Sequence, residues 1–308
     1  MKLKVASLFS GAGGLDLGFK NAGHKLVWAN DIDIDSTETY KLNVGNEIIC
    51  SDVAAVSSDS IPNFDVLIGG FPCQGFSRAN IHRVDGDARN QLYNHVVRIL
   101  RDRRPKFFLL ENVKGILSLN KGHDFQEIRL ALFESGYEVS YKVVNAADYG
   151  VPQSRVRVII VGIRSDLTSK YRYTFPEPTN DRGGTTKKRW VSIGEALTGI
   201  PEPSVKHNLT NHICSNYKVE HRDFTGHRKT DPNKPSPTIL ARGNGGGGVC
   251  AIPHPYSNRR LTVRESAIIQ TFPLDFEFQG KLMSMYRQIG NAVPVRLAEC
   301  LARGFKSK

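Results

Sequence analysis

Lys4-Val5-Ala6-Ser7-Leu8-Phe9-Ser10-Gly11-Ala12-Gly13-Gly14-Leu15 opens this 308-residue chain with a short apolar run that breaks into glycines. Leu15, Leu17, Gly18, Phe19 and Ala22 follow at helical spacing and stop at Gly23, so the stretch reads as strand, tight turn and helix. Residues 25–30 repeat the strand signal and end at Asp31. Helical spacing covers 36–42, a short strand ends near Ser51-Asp52, and 64–69 is a fourth strand. Residues 90–103 are helical, 105–110 read as a buried strand ending in Glu111-Asn112, 122–135 are helical again, and 137–145 and 156–163 are extended. Residues 262–271 and 294–303 carry the last helical patterns. β-Branched runs alternating with helical patterns predict an α/β domain with a largely parallel sheet.

Composition narrows the class. A net charge of +12 and a pI near 9.5 suit a polyanionic partner. No run of about eighteen apolar residues exists, and Met1-Lys2-Leu3-Lys4 leads into a strand without a signal-peptide core, so a soluble protein of a reducing cytoplasm is expected. The five cysteines (Cys50, Cys73, Cys214, Cys250, Cys300) are odd in number and form no Cys-x-x-Cys pair, which argues against a disulfide framework and the usual zinc sites. His207, His212, Cys214, His221 and His227 match no usual ligand spacing, so no metal is expected. Near Tyr173 the composition changes: Pro176, Pro178, Gly183, Gly184, Pro201 and Pro203 crowd together and apolar periodicity weakens. That places a domain boundary there, and the length of the chain suits two unequal domains.

Open α/β sheets bind ligands at the carboxyl ends of their strands. Four such ends carry glycines, acids or a thiol: residues 11–14, Asp31, Asp52 and residues 69–73. The first glycine loop resembles a dinucleotide fingerprint, with Asp31 placed to accept ribose hydroxyls. Asp16, however, stands where a third glycine should, a negative charge where a pyrophosphate would approach a helix N-terminus. A nucleoside cofactor without phosphates suits the loop better, and S-adenosylmethionine (SAM) is the common one. Asp52 could accept a hydrogen bond from an adenine amine, or could simply cap a helix. Pro72 fixes its own φ and stiffens the turn that presents Cys73, yet a lone cysteine there is more often a small buried side chain.

Six blocks occur together: Phe9-Ser10-Gly11-Ala12-Gly13-Gly14, Gly70-Phe71-Pro72-Cys73-Gln74, Glu111-Asn112-Val113, Gln153-Ser154-Arg155-Val156-Arg157, Arg260-Leu261-Thr262 with Arg264-Glu265, and Gln288-Ile289-Gly290-Asn291-Ala292-Val293. In this order and spacing the chain resembles a DNA (cytosine-5)-methyltransferase of the bacterial type. The resemblance implies a SAM-dependent methyltransferase fold, a Rossmann-like, mostly parallel sheet flanked by helices. It also implies a smaller, irregular, mostly-β target-recognition domain at 176–284, inserted into a catalytic domain of 1–175 plus 285–308.

The chemistry agrees with the resemblance. Carbon 5 of cytosine is a poor nucleophile, so the ring must first be attacked at carbon 6, for which a thiolate is suited. By resemblance that thiolate is Cys73, and Glu111 is the acid at N3, which needs a raised pKa to donate at neutral pH. Arg155 and Arg157 lie two apart on an extended segment and so share one face; the resemblance has them hold the carboxylate and the base O2, Arg157 closer to the cytosine. Ordered water is the candidate for removing the carbon-5 proton.

Cofactor contacts carried over are Phe9, Gly11, Ala12, Gly13, Gly14, Leu15, Asp31, Ile32, Asp52, Val53, Pro72, Leu92, Asn291, Ala292 and Val293, with S-adenosylhomocysteine (SAH) as product. Asp31 stands where the family usually has Glu, and Ile32 where it often has an aromatic residue. Gln74, Ser77, Arg78, Arg89, Arg242, Gly243, Asn244 and Arg260 are the expected DNA contacts, with 78–87 as the loop closing over a flipped base. Basic residues spread through 176–284 suit phosphate contacts. The expected partner is double-stranded DNA met by a monomer in a bacterial cytoplasm, either with a cognate restriction endonuclease sharing the site or as an orphan methylase. Rival readings are a tRNA cytosine-5 methyltransferase, a catalytically silent DNA-binding relative and a dinucleotide oxidoreductase.

Overall fold

The structure, a computed structural model, describes residues 1–71, 92–215, 230–241 and 251–308. The first half builds β1 (Lys4–Leu8), α1 (Gly14–Asn21), β2 (Lys25–Asp31), α2 (Ile34–Asn43), β3 (Ile48–Cys50) and β4 (Val66–Gly69). After it come α3 (Leu92–Arg103), β5 (Phe107–Val113), α4 (His123–Glu134), β6 (Tyr137–Asn145) and β7 (Val156–Arg164). α2 starts two residues before its apolar pattern because Asp33 caps it, accepting from the Ser36 backbone N–H at 2.9 Å.

Seven strands form one sheet in the order β3-β2-β1-β4-β5-β7-β6. The sheet is mostly parallel, and only β7 runs against its neighbours β5 and β6. Side chains alternate between its faces. Ala6, Leu8, Leu67, Phe108, Leu110, Val158 and Ile160 pack under Val96 and Leu100 of α3 and Ile128 and Leu132 of α4. Val5, Val66, Ile68, Leu109, Ile159 and Val161 face Leu15 and Phe19 of α1. Burial on both faces is why these strands read as continuous apolar runs.

Residues 176–284 are largely irregular where described, with two two-residue strands, β9 (Asn180–Asp181) and β10 (Lys188–Arg189), and two short helices, α5 (Ile193–Ala196) and α6 (Val263–Ile269). Among the described residues of this region helix outweighs strand. Prolines interrupt the runs that could have laddered, whereas both helices start at full capping boxes, on Ser192 and Thr262.

The chain then returns to the sheet through α7 (Leu282–Asn291) and α8 (Val295–Ala302). β11 (Phe305–Ser307) pairs antiparallel with β8 (Tyr171–Tyr173). α8 lies so close to α1 that a Cβ on Gly18 would run into Ala298. α7 escaped the periodicity reading because Ser284 and Gln288 sit on its buried face. There Gln288 donates to the Gln279 carbonyl at 2.8 Å and accepts from Thr39 at 2.7 Å.

Among the described residues one apolar core spans position 284/285. Ala12, Tyr40 and Ile48 share one core with Ile193, Leu261, Phe272, Phe276, Phe278, Tyr286 and Ile289.

Candidate active site

Because β3, β2, β1, β4 and β5 are parallel, their carboxyl ends open on one edge, and strand order reverses between β1 and β4. The glycine loop crosses that switch point. Phe9, Gly11 and Gly13 all take positive φ (54°, 54° and 86°), a conformation that disfavours residues with a Cβ. Backbone bonds hold it: Ser10 N–H donates to the Asn30 carbonyl at 3.0 Å and Gly13 N–H to the Ser10 carbonyl at 2.9 Å. Asp31 ties the loop to β2, its Oδ2 accepting from Gly11 N–H at 2.8 Å and its Oδ1 from Asp33 N–H at 2.9 Å. Burial holds the Asp31 carboxyl above the usual carboxylate range.

Ala12 and Leu15 are buried beside this loop, and a Cβ on Gly14 would meet the Val293 carbonyl oxygen and Ala292. The C-terminal block thus lies against the first glycine loop, with Asn291 exposed at the end of α7. A Cβ on Gly11 would meet nothing within 4 Å, which leaves an open cradle beside Asp31. Ile32 is 69% exposed just beyond it. Asp52 caps the turn that carries buried Val53, accepting from Ala54 N–H at 2.9 Å. Val53 and Phe71 share a core cluster with half-buried Phe9 and Leu92.

Two strands away lies a buried ion pair. Antiparallel pairing sets Glu111 opposite Ile159 and Val113 opposite Arg157, so Glu111 and Arg157 project from one face as a diagonal pair. Arg157 Nε lies 2.7 Å from Glu111 Oε1. The contact is ionic and lacks hydrogen-bond alignment, leaving Oε1 buried without a hydrogen-bond donor among the described residues. Gly70 leaves room for the carboxylate, since a Cβ there would stand 3.1 Å from Glu111 Oε2. Next door, Asn112 Nδ2 donates to the Phe71 carbonyl at 3.1 Å. Asn112 had no role assigned from sequence; it fastens the Phe71 carbonyl, just before Pro72 and Cys73.

Three expectations are placed differently. Arg155 is 2% exposed and does not hold Glu111: it donates to the Ile239 carbonyl at 3.1 Å and the Gly290 carbonyl at 3.0 Å. It precedes β7, where the chain is not yet in the strand whose alternation would pair it with Arg157. Burial, with Arg157 nearby, lowers its pKa to about 9. Arg260, expected at DNA, is buried with its guanidinium 3.8 Å over the Tyr286 ring. Asp16 does not front the glycine loop; it is fully buried, accepting from Ser7 Oγ at 3.0 Å and Tyr40 Oη at 3.1 Å. Pro72, Cys73, Gln74, Ser77, Arg78, Arg89, Arg242, Gly243 and Asn244 lie outside the described residues. Among the described residues no group of three or more His, Cys, Asp or Glu side chains could hold a metal ion.

A family model for C-5 cytosine-specific DNA methylases matches residues 3–307. The chain belongs to that family. It is 39% identical to the Type II methyltransferase M.NgoFVII of Neisseria gonorrhoeae, over 95% of this chain and 83% of that protein. It is 36% identical to M.FnuDI of Fusobacterium nucleatum, over 99% of this chain and 94% of that one. Among solved structures, an E. coli prophage protein described as a DNA modification methyltransferase superposes with a TM-score of 0.76 at 25% identity, covering 98% of both chains. A C-5 cytosine methylase needs a methyl donor, and the residues at this edge fit an adenosyl group. Gly11 offers an open backbone cradle, Asp31 stands beside it with a carboxylate for hydroxyls, and Ile32 next to Asp31 is an exposed apolar side chain.

Proposed function

We propose that this protein transfers a methyl group from SAM to carbon 5 of a flipped-out cytosine in a specific short sequence of double-stranded DNA. The observation that carries the reading is the buried Glu111–Arg157 pair at the end of β5, pressed against Gly70 and the segment that runs into Cys73. In the mechanism we propose, the Cys73 thiolate forms a bond to carbon 6 while the C5–C6 π electrons move to carbon 5. Glu111, steadied by Arg157, serves N3, where charge accumulates; Arg157 also reaches O2. SAM, when bound, would supply an electrophilic methyl group to the carbon-5 electron pair, its S–CH3 bond breaking so that SAH leaves. The carbon-5 proton then leaves to water, the C5–C6 double bond re-forms, and the thiolate is expelled.

The cofactor would be held by the 9–15 loop, Asp31, Ile32, Asp52, Val53, Pro72, Leu92 and residues 291–293. Arg155 serves as a strut rather than as a base contact. Residues 176–284 would read the target, with 1–175 plus 285–308 doing the chemistry, in a monomer associated with DNA in the bacterial cytoplasm. A cognate endonuclease would share the site. Among the described residues no helix is long and apolar enough to cross a membrane.

Bisulfite sequencing of mixed genomic DNA treated with protein and SAM yields the target. DNA carrying 5-fluorocytosine at that position should then form a SAM-dependent covalent adduct at Cys73, because fluorine cannot leave as a cation. Absence of an adduct on a verified target would sink the covalent mechanism.

A further inference from the structure

A buried polar relay lies beneath the glycine loop. Ser10, between the positive-φ residues Phe9 and Gly11, donates its hydroxyl to Ser7 Oγ at 2.9 Å, and Ser7 donates in turn to Asp16 Oδ2 at 3.0 Å. On the other side Tyr40 donates to Asp16 Oδ1 at 3.1 Å, and its ring carbon would stand 2.9 Å from a Cβ on Gly13. One carboxyl therefore joins both ends of the loop to the sheet and to α2. Ser7 and Tyr40 hydroxyls lie within bonding distance of the two Asp16 oxygens, and an ionised carboxylate accepts from both; a protonated one would have to turn one of them into an acceptor.

We infer that Asp16 is a positioning residue of the cofactor loop: its carboxylate, taking hydrogen bonds from Ser7 and Tyr40 together, sets the backbone of residues 10–14. Cofactor binding and loss of the Asp16 proton are thereby coupled. The inference rests on the reading of this loop as the SAM site.

The surroundings are those of a group that titrates. Burial pushes the Asp16 carboxyl up to about 7, opposed by the Ser7 and Tyr40 bonds, with Glu47 adding to the rise. Glu47 is the charged group facing it from the turn before β3. Lys20, one turn on, is directed to the Val44 carbonyl at 2.6 Å, and α8 presents Ala298 to α1. Asp31 faces the same loop from β2.

Calorimetric titration with SAH, from pH 6 to 8.5 in two buffers of different ionisation enthalpy, tests the coupling in wild type and Asp16→Asn. Wild type should bind on the order of tenfold more weakly at pH 6 than at pH 8 and release protons on binding near pH 7. Asp16→Asn should show neither effect. If it keeps both, the proton belongs to Asp31 or another group and the inference is overturned. Should Asp16→Asn fail to fold, Tyr40→Phe removes one donor and should move the midpoint to higher pH; an unmoved midpoint overturns the inference equally. Wild type that binds no SAH at any pH would instead remove the cofactor reading, and this inference with it.

Discussion

Asn112 holds the carbonyl of Phe71, the last described residue before Pro72 and Cys73. Asn112→Ala should lower kcat about tenfold, the effect of losing a buried hydrogen bond worth about 1–1.5 kcal/mol. SAH affinity should stay within about threefold, because that loop is tied elsewhere; single-turnover methylation beside calorimetry separates the two. Asp16 makes a second expectation at this scale. Its folded pKa of about 7 lies above the ordinary 3.8, so the folded state binds more protons and stability falls as pH rises from about 4 to about 7. Urea denaturation across that range should show Asp16→Asn losing less stability than wild type; parallel profiles would count against the buried charge. The blocks that carry the family resemblance pointed to Glu111 and Arg157, which the structure sets side by side. The two-residue spacing that should have put Arg155 on the same face did not hold, because β7 begins only at Val156. The inward turn of Asp16 was not legible, since a charged residue in a first helical turn reads as solvent-facing until Ser7 and Tyr40 are seen to converge on it.

β7 is the element that builds the Glu111–Arg157 corner. Running against β5, it begins where β5 ends, so Arg157 arrives beside Glu111 from a segment more than forty residues later in the chain. Just upstream, Gln153 donates to Gln270 at 2.9 Å and accepts from Ile239 N–H at 3.0 Å, while Arg155 clasps the Ile239 and Gly290 carbonyls. The start of β7, the 236–239 segment and the end of α7 are thus one polar hub. Arg155→Lys cannot span both carbonyls and should cost about 2–4 kcal/mol in urea denaturation, the range for a buried charged group left partly unpaired. An Arg155→Lys protein within about 0.5 kcal/mol of wild type would mean that the hub does not bear on the fold. Sequence periodicity found the seven strands of the central sheet and missed the short β8 to β11 and α7, the last because Ser284 and Gln288 on its buried face look like solvent-facing positions.

Across the whole molecule, the charge of +12 belongs with a polyanionic substrate. Since each phosphate neutralised releases counterions, affinity for duplex DNA should fall with a log–log slope of about −0.9 per contact as salt rises. Fluorescence anisotropy between low and physiological salt measures it, and a flat response would speak for another substrate. The core shared by Tyr40, Phe272, Phe276, Tyr286 and Ile289 joins 251–291 to the sheet domain. Residues late in the region proposed for target recognition are therefore seated on the helices that flank the glycine loop.

The order of strands and helices, the glycine turn, the six blocks and the excess of positive charge are properties of the chain itself. Spacing and residue type determine them, so the sequence alone established the α/β class and the resemblance to cytosine-5 methyltransferases. Which way a polar side chain turns depends on partners distant in sequence. Arg155 became a strut, Arg260 a cover for Tyr286 and Asp16 the centre of a relay because a buried charge goes where donors and acceptors gather. Only the packed sheet and its returning C-terminal helices decide where that is.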